Sequence, residues 1–476
     1  MIKSSNDFYK QLLETFPFEP TDSQNLLLNQ LSDFIFENNP SGLFLLKGYA
    51  GTGKTTSISA VVKSLWKTGK KAVMLAPTGR AAKVISNYAG RPAFTIHKKI
   101  YHPKKAKNGG VNFVIQANKH TNTLFIVDEA SMISDATSNS KLFENGSLLD
   151  DLMSYVYSGK GCKLIFIGDT AQLPPVKLDM SPALDPDKLS LNYNKDVIEL
   201  ELNEVMRQHT DSGILVNATE LRILLSGNSF FDFKFTLGFP DIIRLTDGYD
   251  IQDAITGAYD NIGVEDTAFI VRSNKRANQY NQQIRSKIRG QENEISTGDF
   301  VMVVKNNYFW LSDSSDAGFI ANGDICEIMK IKRTTELYGF RFAEVTVRMI
   351  DYKNQEPFET VILLDTLTSE TPSLSYDDSN RLYQEVAKDF EDEKSNYKKL
   401  LSIKKNKYFN ALQVKFSYAM TCHKSQGGQW KTVFIEQPYL PEGSNREYLR
   451  WLYTAVTRAQ EKLYLIGFKN DSFEEE

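Results

Sequence analysis

LFLLKGYAGTGKTTSISAVV, residues 43–62, decides the fold. A short apolar run ends in Gly48-Tyr49-Ala50-Gly51-Thr52-Gly53-Lys54-Thr55, which fits G-x-x-x-x-G-K-[ST] without a mismatch. A helical pattern follows at once. Strand, glycine-rich loop and helix in that order make a phosphate loop. Gly48, Gly51 and Gly53 let backbone N–H groups point at phosphate oxygens, and the helix N-terminus adds partial positive charge. Lys54 is placed to reach the β- and γ-phosphates. The Thr55 hydroxyl suits a Mg²⁺ ion, and Thr52 and Thr56 complete the loop.

The surrounding sequence repeats this architecture. AVMLAP (72–77), LFIVDE (124–129) and KLIFIGD (163–169) are continuous apolar runs that end in turn or polar residues. Strands buried on both faces of a parallel sheet look like that. A second α/β pattern comprises TAFIVRSN (267–274), TVFIEQ (432–437) and KLYLIGF (462–468). Between the halves, GDICEIMKIKR, FRFAEVTVRMIDY and PFETVILLDTL alternate with period two, which predicts a small antiparallel barrel. Residues 98–121 are Lys-rich and carry the turn signal Asn108-Gly109-Gly110, which predicts a hairpin insertion. In the charged stretch 376–405, Leu382, Val386 and Phe390 recur every four residues. The expected element is a solvated helix.

The composition sets limits. With 476 residues, 41% hydrophobic and 24% charged, the chain has room for several domains. The formal net charge of -3 means that nucleic-acid binding must come from a local groove. Three cysteines without a Cys-x-x-Cys pair fit a reducing compartment. The N-terminus lacks an apolar h-region, and no run is long enough to span a bilayer, so a cytoplasmic protein is expected.

Further motifs surround the phosphate loop. LFIVDE places Asp128 and Glu129 at a strand end, Asp128 toward Mg²⁺ and Glu129 toward the attacking water. Gln172, in GDTAQLPPV, has an amide suited to sensing a γ-phosphate. Thr21-Asp22-Ser23-Gln24 reads equally as a capping box or as a Gln that reads adenine. The stretch YAMTCHKSQGGQW (418–430) sets Cys422 beside His423, but neighbours in sequence do not make a nucleophile pair. A metal site would need further ligands.

Taken together, Gln24, GYAGTGKTT, APTGRAA, DEAS, GDTAQLPPV, EVMRQ, YAMTCHKSQGGQW and LYTAVTRAQ resemble the superfamily 1 helicases, branch B, and among them the 5′-to-3′ RecD/Dda-like members. The motifs run in family order from Gln24 to Gln460. The resemblance implies two RecA-like P-loop NTPase domains, with a small hairpin insertion in the first and an SH3-like β-barrel insertion in the second. The first motor domain would comprise 1–97 and 122–200, with the strand-separating pin at 98–121. The second would comprise 201–320 and 410–476, with the barrel and charged helix at 321–409.

The resemblance also implies residue roles. Gln24 reads the adenine, and Arg207 and Arg458 reach the γ-phosphate from the second domain. Pro77, Thr78, Arg80, Thr95 and His97 touch the DNA backbone. Asn274, with Arg276, Asn281 and Arg285, forms a matching strip; capping and surface charge are the competing readings for Asn274 and Arg285. Thr421, His423, Lys424, Ser425 and Gln426 face DNA, while Gly427 and Gly428 approach the nucleotide. Phe113 or Tyr101 is the wedge, or packs its own hairpin. Many relatives carry Glu where this chain has Gln429, so a ribose contact is in question. The implied cofactors are ATP and Mg²⁺. The implied partners are single-stranded and tailed duplex DNA, with single-strand-binding or recombination proteins beyond them. A monomeric ATP-dependent DNA helicase for replication, recombination or repair is expected. The alternative is a nucleic-acid-stimulated ATPase that remodels protein–DNA or RNA complexes without strong unwinding.

Overall fold

The computed structural model describes residues 1–105, 111–135, 147–204, 211–227, 229–231, 233–311, 315, 319–352, 354–393 and 395–474, with the backbone alone at 103–105 and 111–113. In the first domain the strands are β1 (Gly42–Gly48), β2 (Lys71–Ala76), β3 (Ala93–Thr95), the hairpin pair β4 (Tyr101–Lys105) and β5 (Val111–Ile115), β6 (Thr123–Val127), β7 (Lys163–Gly168) and β8 (Asp196–Leu202). All but the hairpin form one sheet in the order β3-β2-β6-β7-β1-β8, and every pairing in it is parallel.

Both faces of this sheet are covered, as the continuous apolar strands require. Phe44 and Leu46 of β1, with Leu124 and Ile126 of β6, pack under the helices Asp22–Phe36 and Lys54–Leu65. Leu43 and Leu45, with Phe125 and Val127, join the opposite core with Leu149 and Leu152 of the helix Leu148–Tyr157. Each such fully buried side chain is worth about 1.5–3 kcal/mol relative to exposure.

The second domain adds β9 (Ile242–Leu245) and β10 (Thr267–Val271). The barrel strands follow: β11 (Phe300–Val303), β12 (Ile325–Leu337), β13 (Phe340–Met349), β14 (Phe358–Leu363) and β15 (Leu412–Phe416). The chain then returns through β16 (Ala419–Thr421), β17 (Trp430–Glu436) and β18 (Ala459–Ile466). The second parallel sheet has the order β16-β10-β17-β18-β9. β11 to β15 close into a barrel. Its outer strands, β11 and β15, lie beyond the expected limits 321–409. β11 is a four-residue apolar run, and β15 alternates over only five residues, separated from the other barrel strands by the charged helices.

The charged stretch is two helices, Tyr376–Lys388 and Asn396–Lys405. They do more than solvate. Leu382, Val386 and Ile403 are buried against Phe342, Val361 and Leu363, so the helices cap the outer face of β13 and β14.

Asn281 splices the barrel to the second sheet. Its Nδ2 donates to Phe416 O (3.1 Å) and Ala419 O (2.9 Å), and its Oδ1 accepts from Ala419 N (2.7 Å). Arg285 makes a two-pronged, buried pair with Asp299 at 2.9 and 2.8 Å. These two residues are therefore struts, which corrects their reading as part of a DNA strip. No described helix is long and apolar enough to cross a membrane.

Candidate nucleotide and coupling site

The loop after β1 is shaped by its glycines. Gly51 and Gly53 have φ of 76° and 81°, a left-handed conformation that a side chain would strain. A Cβ at Gly48 would lie 3.1 Å from the Lys54 stem. That clearance lets Lys54 fold along the loop, where its ammonium donates to Gly48 O (2.7 Å) and Tyr49 O (2.6 Å). No side chain caps the N-terminus of the helix Lys54–Leu65, so its first N–H groups are available to an anion.

Gln24 makes the capping box and also touches the loop. Its Oε1 accepts from Thr21 N (3.1 Å), and its Nε2 donates to Thr52 O (3.0 Å). The side chain is buried and braces the phosphate loop against the helix Asp22–Phe36.

At the end of β6, Asp128 Oδ1 accepts from Glu129 N (2.8 Å). Asp128 and Thr55 line one small cavity. Glu129 itself has φ of 53°, an uncommon conformation for a residue other than glycine. Burial pushes its carboxyl up to about 7, the Arg458 charge pulls it back down, and Asp128 pushes it up again. Burial likewise raises Asp128 against the Glu129 N–H and the Lys54 charge. Gln172 is buried at the end of the next strand, and its Oε1 has no hydrogen-bond partner among the described residues. Left-handed glycines, an open helix N-terminus, a carboxylate beside a hydroxyl and an unpaired amide together suit a metal-bound polyphosphate. The P-loop architecture implies nucleotide use.

The second domain closes this site. Arg458 Nη1 lies 3.9 Å from Glu129 Oε1. The guanidinium is almost fully buried and is aimed by Thr454 O (3.0 Å), Gly428 O (3.1 Å) and Thr457 Oγ1 (3.2 Å). Tyr453 of the helix Arg446–Val456 bridges the first domain: Ala50 N donates to its hydroxyl oxygen (2.9 Å), and the hydroxyl donates to Asp169 Oδ2 (2.6 Å). Leu173 is held at both its polar atoms. Its N–H donates to Thr454 Oγ1 (2.9 Å), and its carbonyl accepts from Gln426 Nε2 (2.7 Å). Arg222, from the helix Gly213–Gly227, stacks over the Tyr49 ring at 4.7 Å. Arg207 lies outside the described residues.

The comparisons with known proteins follow the same two halves. A family profile described as an AAA domain matches residues 36–223, and one described as a UvrD-like helicase C-terminal domain matches residues 416–466. The chain is 25% identical over 456 residues to the ATP-dependent DNA helicase dda of Enterobacteria phage T4, covering 88% of this chain and 93% of that protein. This similarity to a DNA helicase over nearly its whole length agrees with the superfamily 1 resemblance of its motifs. The chain is also 24% identical over 508 residues to an uncharacterized protein of Acanthamoeba polyphaga mimivirus, covering 92% and 98% of the two chains. The solved Pif1 helicase from Bacteroides, in complex with ADP-AlF3 and ssDNA, aligns over 96% of this chain and 95% of that one, with a TM-score of 0.46 and 15% identity.

The helicase motifs assigned to DNA divide by geometry. Thr78 and Thr95 cap helices: Thr78 Oγ1 accepts from Ala81 N (3.2 Å) and Thr95 Oγ1 from Lys98 N (3.2 Å). Arg80 lies 4.0 Å over the Trp430 ring, across the domain boundary. His97 packs beside Tyr101, and burial lowers its imidazole to about 4. Pro77 precedes Thr78 at the end of β2, and Asn274 opens the helix Asn274–Gln283.

In the segment after β16, His423 is exposed, while burial lowers the partly covered Lys424 amine to about 8. Ser425 and Gln426 face inward. Ser425 donates to Cys422 O (2.8 Å), and Gln426 is spent on Leu173. Gly427 and Gly428 press onto the first domain. A Cβ at Gly427 would meet Ala81 Cβ at 2.7 Å, and one at Gly428 would meet Arg80 Cδ at 3.0 Å. Cys422 is buried, donates to Trp451 O (3.4 Å) and has its thiol pushed up to about 12, so it is no nucleophile. Gln429 accepts from Gln460 (2.9 Å).

Tyr101 is not a wedge. Its ring is buried in the first-domain core and its hydroxyl donates to Asp151 Oδ2 (2.7 Å). The Phe113 side chain lies outside the described residues. Sequence reasoning missed Tyr453, Thr454 and Arg222. The first two stand inside LYTAVTRAQ, where only the arginine drew a role.

Proposed function

We propose that the chain hydrolyses ATP and uses the cycle to move 5′ to 3′ along single-stranded DNA, unwinding tailed duplexes. One observation carries this reading: Glu129 of the first domain and Arg458 of the second meet across the cleft, 3.9 Å apart. An active site divided between two domains makes their closure depend on what lies between them. Thr55 and Asp128 would hold Mg²⁺, which when bound neutralises phosphate oxygens. Lys54 swings from the loop carbonyls to the phosphates. Glu129, its carboxyl near 7, accepts the proton of the attacking water. Arg458 steadies the developing charge, a role the motif resemblance extends to Arg207. Gln24 borders the adenine.

Thr421, His423 and Lys424 offer hydroxyl, imidazole and ammonium donors to the DNA backbone, and the surface of Pro77–Arg80 continues the track. Such contacts hold a strand without reading its sequence. We assign the barrel to the SH3-like insertion of the family and the hairpin at 98–121 to the pin. The biological setting we favour is replication, recombination or repair. The test is unwinding of duplexes with a single 5′ or 3′ tail, in DNA and in RNA, beside ATPase. Opening of the 5′-tailed DNA alone supports the reading. Equal opening of both polarities refutes the direction, and ATPase without opening refutes the helicase.

A further inference from the structure

A cleft of about 520 Å³ lies between the barrel and its helical cap, away from the nucleotide site. It falls in the size range of formed ligand sites, roughly 300–1,000 Å³. Lys305 and Lys404 stand on its rim, and Tyr308, Phe309, Tyr383 and Phe409 supply aromatic rings. No carboxylate is among the described residues that line it. That is unexpected in a chain with 59 acidic and 56 basic residues. Neither lysine pairs with a carboxylate among the described residues, and partial burial lowers the Lys305 amine.

The walls are pinned. Asn410 accepts at its carbonyl from Asn307 Nδ2 and Trp310 Nε1, both at 2.8 Å, and its side chain donates to Lys404 O (2.8 Å). Tyr383 and Phe409 meet edge to face with centroids 6.1 Å apart. Phe309 and Tyr383 keep 38% of their surface exposed. Two rings left open to solvent, above a rigid floor and beside unpaired ammonium groups, suit a ligand with flat faces and negative charge. The cleft also has a definite address. Tyr308 on its edge packs against the first-domain core that holds Tyr101, the first residue of the hairpin strand β4.

We propose that this cleft binds single-stranded DNA at the foot of the hairpin, with about one or two bases against the rings and phosphates against Lys305 and Lys404. The proposal rests on reading the chain as a DNA helicase. It adds a holding point that the ATP-driven track does not include. A strand caught there is kept from re-pairing with its complement.

The test uses the intact chain and forked DNA carrying 5-iodouracil next to the junction, in either the 5′ or the 3′ tail. After irradiation, a crosslink to Phe309, Tyr383 or Phe409 supports the cleft, and the tail that carries it names the strand. Tyr383→Ala with Lys404→Ala should weaken fork binding at least about fivefold. It should leave ATPase stimulated by a short oligonucleotide unchanged. No crosslink from either tail, with fork affinity unchanged in the double variant, overturns the proposal. Failure of the parent chain to bind DNA at all overturns the helicase reading instead, before the cleft is in question.

Discussion

Arg458 Nη1 of the second domain stands 3.9 Å from Glu129 Oε1 of the first. The same guanidinium hydrogen-bonds Gly428 O at 3.1 Å. The segment proposed to hold DNA and the carboxylate proposed to activate water are thus joined through one side chain.

Arg458→Ala should therefore do two things. It should cut hydrolysis by about 10³-fold or more while ATP binding persists. It should also move the acid limb of the rate profile. Glu129 acts when deprotonated, so the parent rate should rise as pH climbs through about 7. Arg458 holds that carboxyl down, so its loss shifts the midpoint to higher pH. A pH–rate series on both proteins checks this, and an unmoved midpoint would contradict the coupling. Glu129→Gln should abolish turnover at every pH.

Tyr453→Phe removes the hydroxyl between Ala50 N–H and Asp169. Both groups then lose a partner in a buried place, at about 1–3 kcal/mol each. The domains should close less readily. Fluorescence transfer between dyes on the two domains should report a lower closed fraction, with a raised KM for ATP.

His423→Ala with Lys424→Ala should lower DNA-stimulated hydrolysis and spare the basal rate, because neither side chain reaches the nucleotide loop. Gln426→Ala should differ. Its amide holds Leu173 O at 2.7 Å, next to Gln172, so basal turnover should fall as well. Identical profiles for the two variants would mean that the segment is not divided as its geometry indicates.

Asp324, in the barrel, gives a pH effect of the opposite kind. Burial raises its carboxyl to about 8, with the Asp351 charge adding to the rise. Its Oδ1 lies against Gly79 of the first domain, and nearby Lys83 pairs with Asp351 at 3.0 Å. A carboxyl raised on folding favours the folded form while protonated. That contribution is complete below the unfolded value, about 4, and is lost as pH rises through about 8. Thermal melts should show the parent weakening over that interval, and Asp324→Asn should flatten the slope. Parallel slopes would rule the residue out.

Much of this was legible in the sequence. The two sheets were, because strands buried on both faces are unbroken apolar runs. The positions of Lys54, Asp128 and Glu129 at the loop and the strand end were, because a phosphate loop and a strand-end acid pair are local patterns. Motif order could not say where a side chain points. Asn281 and Arg285 read as surface and turned out buried, each pinned by partners brought in from elsewhere in the chain. Tyr453 and Gln426 act through contacts 403 and 253 positions away. Leu382 and Val386 gained a purpose only once the barrel existed for them to cover.

Asn281 ties Phe416 to Ala419, so only Ser417 and Tyr418 separate the last barrel strand from the segment that ends at Gly427–Gly428. Tyr418 is itself fastened by its hydroxyl to Asp299 (2.9 Å). Such a join has almost no slack. A load placed on the barrel arrives as torque on the glycine pair, whose Gly428 carbonyl helps to aim Arg458. In the proposed cycle the barrel is then a handle on the hydrolytic step as well as a guide for the strand.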